Sequence, residues 1–179
     1  MFFGSRQGFG LEVEIDEVDP HRVDWIFGRL RFWAAGTTIG DFERSSMLSL
    51  PAAFFGDVLK RAEERIDPAL CKQEAGAALS LVYDALYGPG DGDYQMALDL
   101  ERLYRRFCIA PGGGEAFDGV FALLVACETG ERLLWRTDEE GTPHEAWLGP
   151  GECEAVLLKF LVWLKAHCGF WPEGLAQPE

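Results

Sequence analysis

Residues able to do chemistry are scattered along this 179-residue chain, and no spacing gathers them into a catalytic set. The run Pro111-Gly112-Gly113-Gly114 invites a phosphate reading. A phosphate loop, however, needs a following Gly-Lys-Ser/Thr and a helix whose first amides face the anion. Here Glu115 follows, so the run reads as a loop. Asp91-Gly92-Asp93 is too short for a calcium loop, which requires further spaced oxygen ligands and a distal Glu. No serine sits in a Gly-x-Ser-x-Gly elbow. The histidines (His21, His144, His167) are far apart, and the cysteines (Cys71, Cys108, Cys127, Cys153, Cys168) include no C-x-x-C pair. Zinc needs clustered ligands, so neither a metal nor a cofactor is expected. The cysteines, mostly within apolar segments, read as reduced, buried thiols. The enzyme alternative is a site built on His144 or a carboxylate pair, recognisable by a deep pocket with converging titratable groups.

Binding chemistry is better represented. In Trp25-Ile-Phe-Gly-Arg-Leu-Arg-Phe-Trp33, alternation sends Ile26, Gly28, Leu30 and Phe32 to one face and Trp25, Phe27, Arg29, Arg31 and Trp33 to the other. Trp and Arg are the types most enriched among interface hot spots, and guanidinium groups stack on indole rings. Either this face meets a partner, or helices cover it and the arginines reach past them to water. Leu133-Leu134-Trp135-Arg136 repeats the combination more weakly. The formal charge is −14, which argues against nucleic acid as a direct ligand. The acids are clumped: Glu12, Glu14, Asp16, Glu17 and Asp19 form one run, and Asp138, Glu139, Glu140, Glu145, Glu152 and Glu154 form another. Such runs keep a surface wet or face a basic partner, and Trp147 inside the second run favours a partner. The candidate partner-binding residues are Trp25, Arg29, Arg31, Trp33, Asp41, Trp135, Glu139, Glu140, Glu145 and Trp147.

The elements that must position these residues follow from periodicity. Residues 9–18 alternate as a half-buried strand that ends at Asp19-Pro20. A strand over 25–33 turns through Ala34-Ala35-Gly36. A three-residue turn sets Leu30 opposite Gly40 and Arg29 opposite Asp41, whereas a two-residue turn sets Asp41 against Leu30 on the core face, which is costly. The three-residue turn is therefore preferred. A helix from Pro51 to about Ile66 shows a wet face of Lys60, Arg61, Glu63, Glu64 and Arg65. Further helices cover 71–87 and 94–107, separated by the loop Gly88-Pro89-Gly90-Asp91-Gly92. Strands resume at 117–127, apolar on both faces and so placed centrally in the sheet, and at 132–137, with a short one at 145–148. A last helix over 152–167 carries acids in its first turn, bases in its last and Gly169 as its stop. The order predicts α+β: a mostly antiparallel sheet, a central helical block and a C-terminal helix packed on the sheet. One domain spans 1–179, with 172–179 a frayed tail. Neither a signal peptide nor a membrane-spanning stretch is present, so the expected compartment is the cytoplasm.

The stretch Trp25 to Trp33, followed by Gly36 and Ile39-Gly40-Asp41, resembles the N-terminal signature of the immunity protein 42 family of bacterial polymorphic toxin systems. Phe117-Asp118-Gly119 with Glu131-Arg132-Leu133-Leu134-Trp135-Arg136 is similar to its second half. The likeness runs from about Met1 to Trp163, and the helical middle carries little of it. The resemblance implies a cytoplasmic antidote that binds and blocks a cognate toxin domain, without cofactor or turnover. The partner expected is that toxin domain, basic if the acidic runs meet it. No nucleic acid or membrane is expected, and the chain would be a monomer or weak dimer. A self-associating structural module is the remaining alternative.

Overall fold

The computed structural model describes residues 1–88, 94–112, 115–138 and 141–177. Its strands and helices, in chain order, are β1 (Phe2–Gly4), β2 (Phe9–Val18), β3 (Ile26–Ala34), β4 (Thr37–Ile39), β5 (Ser46–Met47), α1 (Ser49–Lys60), α2 (Pro68–Lys72), α3 (Ala75–Tyr87), α4 (Tyr94–Tyr104), β6 (Val120–Cys127), β7 (Gly130–Thr137), β8 (His144–Leu148) and α5 (Glu152–Cys168). The fold is α+β, as the order of elements predicts, but its strands form two antiparallel sheets. The first runs β1-β2-β3-β4 with β5 also on β3, and the second runs β6-β7-β8.

Alternation builds the first sheet. Phe9, Leu11 and Val13 of β2 and Ile26, Leu30 and Phe32 of β3 are fully buried on one face, with Leu11 opposite Phe32 and Val13 opposite Leu30. The register slips between Ile15 and Glu17, a bulge at Asp16. The β3–β4 turn corrects the expected register. Phe32 faces Ile39 and Ala34 faces Thr37, so the turn holds two residues, Ala35 and Gly36. Both have positive φ (48° and 81°), as the hairpin turn matched to strand twist requires. The cost of Asp41 on the core face is avoided because pairing stops at Ile39 and the chain leaves the sheet at Gly40. There φ is +99°, and a Cβ would meet the Ala116 carbonyl at 2.9 Å. Asp41 then donates its amide to that carbonyl and pairs with Arg44 at 3.3 Å. The expected Arg29–Asp41 pairing is not formed, and Arg29 meets Asp16 at 3.3 Å.

The helical block is more broken than periodicity predicts. After α1 a 3-10 turn over Ala62–Arg65 redirects the chain and buries Arg65 (1 % exposed), which was expected on a wet face. Asp67 caps α2 by accepting from the Ala69 and Leu70 amides, and Glu74 caps α3 through the Ala77 amide. The single helix expected over 71–87 is therefore two, because each acid satisfies a new set of free amides. A 3-10 turn over Arg105–Phe107 follows α4.

In the second sheet β7, not β6, is central. The strand β6 is apolar on both faces because Ala122 and Leu124 enter the main core while Phe121, Leu123 and Val125 meet the helices. The main core joins this inner face to the first sheet, α1 and α5. The C-terminal helix runs between Gly151 and Gly169, both left-handed, and buries Val156, Leu157, Phe160, Leu161 and Leu164.

Two further expectations are corrected. The tail is packed over its described part: Trp171 donates from Nε1 to the Leu175 carbonyl at 2.9 Å, Lys60 donates to the Glu173 carbonyl at 2.6 Å, and Leu175 packs on the main core. Cys71 and Cys127 form a disulfide, while Cys108, Cys153 and Cys168 are free thiols. Spacing gives no hint of the pair, since 56 residues separate its members and only the docking of α2 beside the end of β6 brings them together.

Candidate partner-binding face

The outer face of β2 and β3 combines two features that are separate in the sequence. Register places Glu12 opposite Arg31 and Glu14 opposite Arg29, so the first acidic run and the Trp/Arg row share one surface. Phe27, Arg29, Arg31 and Trp33 are half-buried, and Trp25 is 39 % exposed. Neither hydrophobic cluster includes Trp25, Phe27 or Trp33. What partly covers these side chains is one another. Glu12 Oε2 accepts from Arg31 Nε at 2.9 Å and from Trp33 Nε1 at 2.8 Å. The Arg6 guanidinium lies 4.8 Å from the Trp33 ring centroid, and that of Arg31 lies 4.6 Å from Phe42. The Arg22 guanidinium stacks on Trp25 at 4.0 Å. Burial alone would push the Glu12 carboxyl up, but the hydrogen bonds from Trp33 and Arg31 outweigh it and hold the group below its usual range. The result is a preset lattice of rings and charges on a rigid sheet. Among the described residues Glu14 and Glu17, on the same strand, have no ion-pair partner.

The second sheet treats the same residue types differently. Trp135, expected at an interface, is 2 % exposed and belongs to the main core. His144, the residue on which an enzyme reading would rest, stacks on it at 5.3 Å and 17°. Arg132 points to the helices and donates to the carbonyls of Leu70 and Gln73 at 2.9 and 2.7 Å, while Glu145 accepts from its Nη2 at 2.6 Å. Glu145 is thereby an anchor for Arg132 as well as a surface acid. The guanidinium of Arg136 lies 4.6 Å from the Tyr83 ring. Trp147 is 54 % exposed and lines a groove of about 430 Å³ with Ile66 and the Cys71–Cys127 disulfide. Glu139 and Glu140 lie outside the described residues.

Between the sheets, Glu131 Oε2 accepts the Cys153 amide at 3.0 Å. Burial and the neighbouring Glu154 push the Glu131 carboxyl up to about 8. Burial acts on Glu154 in the same direction, yet its contacts with Glu131 and Arg65 carry it the other way, below its usual range. Arg65 donates to the Val58 carbonyl at 2.7 Å and to Glu154.

The deciding observation is a family model for immunity protein 42 that matches residues 1–163. The chain belongs to the immunity protein 42 family. It is therefore an immunity protein that neutralises a cognate toxin by binding it, and not an enzyme. Both stretches that carry the resemblance, 25–41 and 117–136, fall within the matched span. No curated protein matches the chain. Among solved structures, this immunity protein is similar to CdiI from Burkholderia dolosa AUO158, with a TM-score of 0.72 and 16 % identity over 91 % of this chain and 99 % of that one. At that identity the likeness speaks for the fold. No described helix is long and apolar enough to cross a membrane.

Of the ten sequence candidates, the structure brings Trp25, Arg29, Arg31 and Trp33 together on one face. Asp41 sits at the exit from β4, paired to Arg44, and Glu145 and Trp147 lie on β8 in the other sheet. Glu12 and Arg6 were missed as members of the Trp/Arg face. Alternation does place Glu12 on the outward side of β2, but the pairing partner of each residue depends on the bulge at Asp16, which has no sequence signature.

Proposed function

We propose that the cognate toxin docks on the outer face of β2 and β3, and that neutralisation is steric occlusion helped by charge. The observation that carries this reading is that, among the described residues, no helix packs on this aromatic and charged sheet face, while the corresponding face of the second sheet is covered. Its indole and guanidinium groups are held in place before binding, which lowers the ordering cost of association. The unpaired Glu14 and Glu17 favour a basic toxin surface and act mainly on orientation and association rate. Every arginine there already has a carboxylate or ring partner, so burying the face against a second copy gains little. The free protein is a monomer or weak dimer, checked by sedimentation across concentration. The compartment is the cytoplasm.

The test is binding of the cognate toxin domain by Trp33→Ala and, as control, Trp147→Ala. Trp33→Ala is expected to lose at least about 2 kcal/mol, roughly thirtyfold in Kd, with Trp147→Ala near the parent. The reverse ranking in well-folded variants would move the interface to the second sheet. An association rate unchanged between low and high salt would remove the electrostatic part.

A further inference from the structure

The chain carries 30 acidic residues against 16 Lys and Arg, yet one cleft is lined by three arginines and a single acid. Arg61, at the end of α1, and Arg105 and Arg106, in the 3-10 turn after α4, line a cleft of about 110 Å³ with Phe54, Asp57 and Cys108. The acid is already engaged, since Asp57 accepts from Lys60 at 3.1 Å. Arg105 has Glu101 one helical turn back. Among the described residues, Arg61 and Arg106 have no carboxylate within ion-pair distance. The other paired arginines include Arg6, Arg22, Arg29, Arg31, Arg44, Arg65 and Arg132. The Nε of Arg106 is moreover buried without a hydrogen-bond partner, beside the ring of Phe107 at 4.7 Å.

Like charges held together in one cleft repel. One small anion relieves that repulsion. The guanidinium fork matches the tetrahedral oxygens of a phosphate group, and its strength lies in paired, charge-assisted bonds. We infer that the cleft between α1 and the turn after α4 binds a phosphate group through Arg61, Arg105 and Arg106. The site shares no residue with the outer face of β2 and β3 and does not depend on the toxin-docking reading. The negative charge of the whole chain opposes the approach of any anion, so recognition rests on the local fork geometry and tolerates only modest salt.

The probes are inorganic phosphate and phenyl phosphate, followed by thermal unfolding and by calorimetric titration of the whole chain. Sodium chloride at matched ionic strength is the reference. Phosphate is expected to raise Tm in a saturable way that chloride does not reproduce. The double variant Arg61→Gln/Arg106→Gln is expected to bind about tenfold more weakly or worse, the equivalent of one lost charge-assisted hydrogen bond. Tighter binding of inorganic phosphate marks the free ion as the ligand, and tighter binding of phenyl phosphate marks a phosphate carried on a larger molecule over Phe54. Equal stabilisation by chloride overturns the site, and so does a folded double variant that keeps the parent affinity. Should the double variant not fold, Asp57→Asn leaves all three arginines in place and removes the carboxylate. It is expected to tighten phosphate binding, and unchanged or weaker binding would overturn the inference.

Discussion

The two sheets present the same residue types on their outer faces and put them to opposite use. Along β3 and the residue just before it, the row Trp25, Phe27, Arg29, Arg31 and Trp33 stays at the surface, and its charges are met by acids from the neighbouring strand. On β7, Arg132 and Arg136 are covered by α2 and α3, and their charge is met by carbonyls, one edge acid and aromatic rings. A guanidinium can serve either role because its stem is apolar and its fork has five donors. What differs is the neighbour. Acids alternating along β2 satisfy arginines across a strand and leave the surface wet, while the carbonyl end of a short helix satisfies them only by lying on top. Among the described residues the first face thus carries no helix, and the covered face is committed to holding the helical block on the sheet.

That contrast can be broken by substitution, with the covered side expected to respond most strongly. The disulfide that ties α2 to β6 closes a long loop, its cysteines being 56 positions apart in sequence. Loop-closure entropy assigns it roughly 4 kcal/mol. Chemical denaturation of oxidised and reduced protein should differ by up to that amount, with three free thiols counted in the first and five in the second. Next, Arg132→Ala should destabilise by about 3 kcal/mol, because it strands the Leu70 and Gln73 carbonyls beneath the helix. A loss below about 1 kcal/mol would mean that the helices do not depend on this anchor.

The two glutamates that matter most, one in each sheet, have opposite pH signatures. The folded-state value of Glu131 is raised to about 8, so between the ordinary carboxylate range and that value the folded protein holds a proton that the unfolded chain has released. Its contribution is present below the unfolded value and is lost as pH rises through this window. Glu131→Gln should flatten that dependence in denaturation curves between pH 5 and 8. Glu12, held below its usual range, contributes above the unfolded value and loses its contribution only as pH falls through its folded one. The smallest effect belongs to the bare face, where Glu12→Gln should cost less than about 1 kcal/mol of stability, as surface ion pairs do. It should still weaken toxin binding, because it releases both Arg31 and Trp33. A stability loss as large as that of Arg132→Ala would show that the outer face of β2 and β3 is structural rather than a preset docking surface.

Local pattern and long-range neighbour divide what is legible in the chain. Period-two alternation in β2 and β3, and the acids, bases and glycine that end α5, follow from backbone geometry and the helix dipole. These are interactions between residues a few positions apart, so the sequence alone determines them, along with the α+β class and the family signature. Turn chemistry was harder. The two-residue turn at Ala35-Gly36 reads as costly from the sequence because continued pairing buries Asp41, and only the close approach of Ala116 shows that pairing ends at Gly40. Arg65 looks wet by type and helix position, yet it is buried by elements far along the chain. Cys71 and Cys127 carry no mutual signal. Whether a Trp/Arg row meets water or a helix depends on which layer docks on which sheet. That is a contest among many weak contacts distant in sequence, and no single segment contains its outcome. The chain by itself therefore determined which residues share a strand face, and the tertiary structure decided which of the two such faces the helices cover.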